Sequence, residues 1–162
     1  MHTDVGGPLK TSSLNDSKYY ITFIDDHTRM CWIYFMKYKS EVADIFWKFK
    51  AWVEKQSTYK MQVIRSDNGT EYTLEKFNKF YEKEGIEHQL TTPYTPQQNG
   101  VVERKNRTLM EITRCLLHDK GLPKNLWAET ANTAVFLLNR LPTKALQQKP
   151  PFEAWYGYKP KL

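Results

Sequence analysis

Aromatic and β-branched residues fill YYITFI (19–24) and CWIYFM (31–36), and the polar break DDHTR parts them, so the pattern predicts a β-hairpin. Ser40 is a predicted N-cap, after which Val42, Ile45, Phe46, Phe49, Trp52 and Val53 recur at helical spacing; Glu41 and Asp44 sit in the first turn, where negative charge suits the helix dipole. MQVIR (61–65) predicts a short strand that stops at the turn Ser66-Asp67-Asn68-Gly69. Thr73 is expected to cap a second helix with Phe77, Phe80 and Tyr81 on one face, and Gly85 to end it in a left-handed conformation. A strand over 86–90 and the loop TTPYTPQQNG then lead to a long helix over about 99–118, closed by Gly121 and Pro123. A last helix over about 124–139 carries Trp127, Ala131, Ala134, Val135 and Leu138. The remaining tail, with Pro142, Pro150, Pro151 and Pro160, is expected to wrap irregularly. Strands first, then helices interleaved with single strands, predict an α/β layered fold with a mixed sheet.

With 162 residues, 40% apolar and 14% aromatic, the chain can bury a core and is not composed like a disordered one. No apolar run approaches membrane-spanning length, and the N-terminal residues do not form a secretory signal. Cys31 and Cys115 stand apart without a C-x-x-C pair, which predicts neither a zinc site nor a disulfide and fits a reducing interior. The formal charge of +6 favours an anionic partner, and its distribution sharpens the point: Arg104, Lys105, Arg107, Arg114, Lys120 and Lys124 crowd the long helix and its end.

One acid stands among those bases. Around a helix of 3.6 residues per turn, Glu103, Arg107 and Arg114 share a face, while Leu109, Ile112 and Leu116 share the opposite one. The apolar side is expected to dock on the sheet, leaving an acid and two cations facing outward. Asp67 ends its strand at the sheet rim, and 35 residues separate it from Glu103. Carboxylate oxygens suit Mg²⁺ or Mn²⁺, and two such ions can serve in-line displacement at phosphorus. Two ions call for about three carboxylates, and the third candidate is Asp4, in HTDVGGP. The plainer readings are an ordinary turn at Asp67-Asn68-Gly69 and a solvated helix charge at Glu103. Asp25-Asp26, between two strands, reads as turn chemistry, and His27, His88 and His118 as surface or turn residues.

The segments HTDVGGP, FIDDHTR, RSDNGTEY, HQLTTPYTPQQNGVVERKNRTLME, LPKNLWAE and NTAVFLLNRLPTKAL closely resemble the integrase core of copia-type retrotransposon polyproteins, and the likeness runs over residues 1–160. The wider family includes retroviral integrases and other DDE recombinases. The resemblance implies a ribonuclease H-like fold, an α/β architecture with a mixed, roughly five-stranded sheet flanked by helices. Residues 1–141 would form the catalytic core and 142–162 a Pro-rich extension. It implies a polynucleotidyl transferase that inserts element DNA into host DNA, with two Mg²⁺ or Mn²⁺ ions per site. Asp4 would bridge both ions, with Asp67 and Glu103 on one each. Gln98 and Asn99 would approach the DNA near the reacting phosphate, and Arg107 would contact it. Arg104, Lys105 and Arg114 are expected phosphate contacts on charge and placement. The loop 93–100 would close on DNA, with Pro93 and Pro96 limiting its entropy and Gly100 allowing entry into the helix.

Partners implied by the resemblance are the element ends, the host target and further copies of the chain, with no membrane and no small-molecule substrate. The expected place is the nucleus, after a cytoplasmic particle phase. Complete members also carry an N-terminal zinc module and a basic C-terminal region, which this sequence lacks. With only Met1, His2 and Thr3 ahead of Asp4, the first strand is expected to fray. Two rivals stand beside the transferase: a catalytically silent or domesticated DNA-binding remnant, and a ribonuclease H-type nuclease, which the PYTPQQNGVVERKNR element disfavours.

Overall fold

A computed structural model describes residues 1–91 and 96–161, with side chains for all of these except 96–99. Its strands are β1 (His2–Gly6), β2 (Tyr19–Ile24), β3 (Cys31–Met36), β4 (Val63–Ser66) and β5 (Glu87–Leu90). The helices are α1 (Val42–Gln56), α2 (Glu75–Glu84), α3 (Pro96–Asp119), α4 (Trp127–Arg140) and α5 (Pro151–Tyr156). The strands form one mixed sheet in the order β3-β2-β1-β4-β5, with the β1–β2 and β2–β3 pairs antiparallel and the β1–β4 and β4–β5 pairs parallel.

Strand β2 is apolar on both faces because both are covered. Ile21 and Phe23 point into a core with Phe46 and Phe49 of α1, Ile64 of β4, and Phe77 and Tyr81 of α2. Tyr20 and Ile24 point the other way, against Val102 and Leu109 of α3 and Trp127, Ala131 and Ala134 of α4. The period of two along β2 thus assigns one helical layer to each face. Phe23 stacks on Phe49 with centroids 4.0 Å apart.

Strand β1 does not fray. It lies in the middle of the sheet, paired with β2 from His2↔Ile24 to Gly6↔Tyr20. The Arg65 amide donates to the Met1 carbonyl at 2.8 Å, and His2 Nε2 donates to Asp26 Oδ1 at 2.9 Å. The Asp25-Asp26 pair is turn chemistry, as expected: Asp25 Oδ2 accepts from the amide and hydroxyl of Thr28.

Both predicted caps differ. Ser40 lies inside a 3-10 turn (Lys39–Glu41), and it is Glu41 that accepts from the Tyr38 amide at 2.7 Å. Thr73 donates its hydroxyl to the Thr70 carbonyl, and Leu74 takes the N-cap position of α2. Trp52 is 39% exposed, its ring reaching Trp32 from the rim. The tail is more ordered than its prolines suggest. Pro151 opens α5, where proline's fixed φ suits a first turn, and Trp155 packs edge-on against Trp32 at 5.0 Å.

Gly85 ends α2 at φ 65°, as expected, with no atom within 4 Å of where a Cβ would stand. Gly85→Ala therefore isolates backbone strain: a loss of about 1 kcal/mol in chemical denaturation is expected, and a neutral result would contradict the left-handed cap.

Candidate active site

Asp4 sits at the third position of β1, on the face that meets α3. The parallel register pairs His2 with Arg65, so carrying it two residues along both strands sets Asp4 level with Asp67. Asp67 lies just past β4 in a tight turn: its Oδ1 accepts from the Gly69 amide at 3.1 Å and its carbonyl from Ser66 Oγ at 2.9 Å. Crevices at the carboxyl ends of neighbouring parallel strands are the usual ligand sites of such sheets.

Above them runs α3, whose buried stripe is Val102, Asn106, Leu109 and Thr113, at the four-three-four spacing of a helix face. Glu103, Arg107 and Arg114 are exposed together, as the wheel predicts. Leu109 is buried opposite them, while Ile112 and Leu116 are only half-buried. The helix also begins earlier than expected, at Pro96, which makes Gly100 an interior helical residue and not its entrance. The remainder of the closing loop (93–95) and the side chains of Gln98 and Asn99 lie outside the described residues.

The sequence reading missed Asn106. Its amide is buried between α3 and the sheet, where Oδ1 accepts from Thr22 Oγ1 at 2.9 Å and Nδ2 donates to Asp4 Oδ2 at 2.9 Å. An amide fits because one end accepts and the other donates. The available signal was a polar residue at an apolar position of the helix.

Burial pushes the Asp4 carboxyl up to about 6; the Asn106 hydrogen bond opposes this, and the negative charges of Asp67 and Glu103 add to it. The three carboxylates therefore act on one another. None forms an ion pair among the described residues. Nor do three acidic, histidine or cysteine side chains close on a single point there: Glu103 remains in solvent on the rim. The two aspartates fit a hard divalent cation, being oxygen donors crowded together in a poorly hydrated spot with no paired cation.

Two expected phosphate contacts are placed differently. Lys105 is turned from the Glu103 face and half-buried, where burial lowers its ammonium pKa and the charge of Arg29 lowers it further. With Arg29 and Arg104 it lines a cleft of about 420 Å³ between α3 and the end of α4. His88 is not a turn residue but a half-buried member of β5, packed at a tilt against the Tyr81 ring and hydrogen-bonded to Ser66 Oγ at 2.7 Å. Cys31 is buried and Cys115 exposed, and both are free thiols.

The family model described as the integrase core domain matches residues 1–96. The retrovirus-related Pol polyprotein from transposon TNT 1-94 of Nicotiana tabacum is 43% identical over 155 residues, which is 96% of this chain and 12% of that protein. The corresponding polyprotein from transposon RE2 of Arabidopsis thaliana is 38% identical, covering 91% of this chain and 10% of that protein. The chain thus spans only about a tenth of the length of these relatives.

Among solved structures, the catalytic core domain of BIV integrase superposes with a TM-score of 0.66 at 18% identity, over 96% of this chain and 92% of that one. The HTLV-2 integrase catalytic core domain in complex with magnesium, in a trimeric form, gives 0.64 at 20% identity over 95% and 93%. A chain of the simian T-cell lymphotropic virus intasome, solved with a PP2A regulatory subunit, gives 0.74 at 21% identity over 99% and 54%. These likenesses establish the ribonuclease H-like fold of integrase cores. The copia-type relatives and the matching family model, together with the order of strands and helices, show that the chain belongs to the integrase core domain family.

Proposed function

We propose that the chain is the catalytic core of a retrotransposon integrase and performs metal-dependent DNA strand transfer. The observation that carries this reading is the placement of Asp4 beside Asp67, with Asn106 holding Asp4 and Glu103 within their field. Asp4 and Asp67 would hold divalent magnesium or manganese between them, and Glu103 would complete the set from α3. When bound, such ions supply the oxygen activation and charge neutralisation of in-line displacement at phosphorus.

The chain's own residues have distinct tasks. Asn106 keeps one Asp4 oxygen occupied and so fixes the direction of the other. Arg107 and Arg114, on the Glu103 face, bind phosphates flanking the reacting one. The cleft of Arg29, Arg104 and Lys105 takes a phosphate further along the strand. In the reaction a 3′-hydroxyl oxygen of the element bonds to the target phosphorus as the bond to the target's own 3′-oxygen breaks, and the released oxygen takes up a proton. Phosphodiester bonds are conserved in number, so the reaction needs no external energy source.

This reading takes 1–141 as the core and 142–162 as its extension, acts through homo-oligomers that hold two ends together, and works on nuclear DNA after a cytoplasmic particle phase. The test is a branched DNA mimicking the strand-transfer product, incubated with the purified chain and Mn²⁺ or Mg²⁺ beside Asp67→Asn and Glu103→Gln. Resolution that depends on the ion and disappears in both variants is the expected result. Salt-sensitive DNA binding without resolution would instead identify a silent DNA-binding module.

A further inference from the structure

Glu71 lies outside the aspartate pair and Glu103, yet its side chain is only 8% exposed. The point where a Cβ on Gly69 would stand is 2.8 Å from Glu71 Oε1 and 2.9 Å from Asp67 Oδ1. The two carboxylates therefore flank one point, over the open side of the glycine, where a side chain would have to push both carboxylate ends aside. Lys39 Nζ is the cationic partner of Glu71 among the described residues, at 3.8 Å, beyond hydrogen-bonding distance and on a half-exposed side chain.

Burying a carboxylate beside another without close compensation is unfavourable, so its place calls for an explanation. That place is also fixed. The next residue, Tyr72, is fully buried, and its hydroxyl is hydrogen-bonded to Thr3 Oγ1 at 3.0 Å, one position before Asp4 in β1. Tyr72 thus ties the backbone carrying Glu71 to the strand carrying Asp4.

We infer that Glu71 is a positioning residue that accepts hydrogen bonds from the water shell of a divalent cation held at Asp67, raising the affinity of the site for that cation. Magnesium sheds water reluctantly and keeps several molecules when bound by few carboxylates, so a buried acceptor beside the inner ligand has those waters to receive. Groups in this outer role typically change cation affinity by 10- to 100-fold. The inference rests on the proposed cation-binding reading of the site. The competing account is structural: Glu71 merely ties the turn to the start of α1 through Lys39.

The experiment titrates Mn²⁺ into the metal-free chain by electron paramagnetic resonance, with thermal unfolding recorded in the absence of metal. Asp67→Asn should abolish binding. Glu71→Gln should weaken it about tenfold with metal-free Tm unchanged or raised. Lys39→Gln removes the cation competing for Glu71, so binding should tighten by about two- to threefold. That arm stands independently should Glu71→Gln fail to fold. Wild-type affinity in Glu71→Gln, alongside loss in Asp67→Asn, overturns the inference and leaves the cation site standing. Equal falls in Tm and affinity for Glu71→Gln and Lys39→Gln overturn it in favour of the structural tie. Unchanged binding in Asp67→Asn overturns the cation-site reading and the inference with it.

Discussion

Asn106→Ala is expected to lower the unfolding free energy by about 3 kcal/mol, from loss of two buried hydrogen bonds and exposure of their partners to an empty pocket. Thr22 would lose its only side-chain acceptor seen among the described residues, and Asp4 the one side-chain donor facing its Oδ2. The cost exceeds that of an ordinary hydrogen bond because the orphaned Thr22 hydroxyl stays fully buried and the Asp4 carboxyl partly so, where water replaces the amide poorly. Urea denaturation should show a lower midpoint with an unchanged slope. Two controls apportion the effect. Thr22→Val removes one bond and one hydroxyl together, so about 1 kcal/mol is expected. Asn106→Asp keeps the acceptor for Thr22 but sets a second negative charge against Asp4, so its penalty should be greater at pH 7 than at pH 5. Wild-type stability in Asn106→Ala would mean that the buried bridge contributes nothing.

Asp4→Asn is expected to stabilise the metal-free protein at neutral pH while abolishing its binding of divalent cations. The Asp4 carboxyl is raised from 3.8 to about 6 in the folded chain, chiefly by burial. Between these values the folded state binds more protons than the unfolded one, so stability falls as pH rises through the window. Once both states have ionised, the loss is on the order of 2 kcal/mol after allowance for the partial exposure of the site. Asparagine keeps the oxygen that accepts from Asn106 and carries no charge, so the variant should match the wild type near pH 4 and exceed it at pH 7. Saturating Mg²⁺ should reverse the order at pH 7, because only the wild type gains stability by binding. Thermal melts at both pH values, with and without Mg²⁺, give the comparison; a variant less stable at pH 7 without metal would show that the buried charge carries no penalty.

Much of the architecture was legible where periodicity is long or the pattern sharp. The YYITFI–CWIYFM hairpin, the apolar ladder of α1 and the αL end at Gly85 all follow from spacing and backbone preference. The caps at Ser40 and Thr73 were not, because a hydroxyl competes with neighbouring carboxylates and carbonyls for the same amides, and here Glu41 won one contest. Helix α5 is too short to show a period, and its prolines read as irregular chain although one of them starts the helix. Pro96 misled in the same way.

At the site, the family pattern pointed to Asp4, Asp67 and Glu103, and the register of β1 on β4 explains why the first two stand level. Spacing marks Asn106 only as a polar residue on the apolar stripe of α3, and it gives no sign of Glu71. Asn106 matters through partners distant in the chain, Thr22 and Asp4, and Glu71 through the fold of a turn that sets it against Asp67 across a glycine. For Lys105, charge and placement suggested a phosphate contact but not its setting, half-buried in the cleft with Arg29 and Arg104.

The central place of β1 also governs how the molecule assembles. Its antiparallel partner β2 follows after a short connection, but its parallel partner β4 lies about sixty positions along the chain. Contacts so far apart are slow to form, because the intervening loop must be ordered before they repay it. A meander of β1, β2 and β3 is therefore expected to form early, with one edge of β1 open and able to pair with other chains. Docking of β4 closes that edge and, in the same event, brings Asp67 to Asp4. In refolding, the capacity to take up Mn²⁺ should accordingly appear in the slowest phase, together with protection from aggregation.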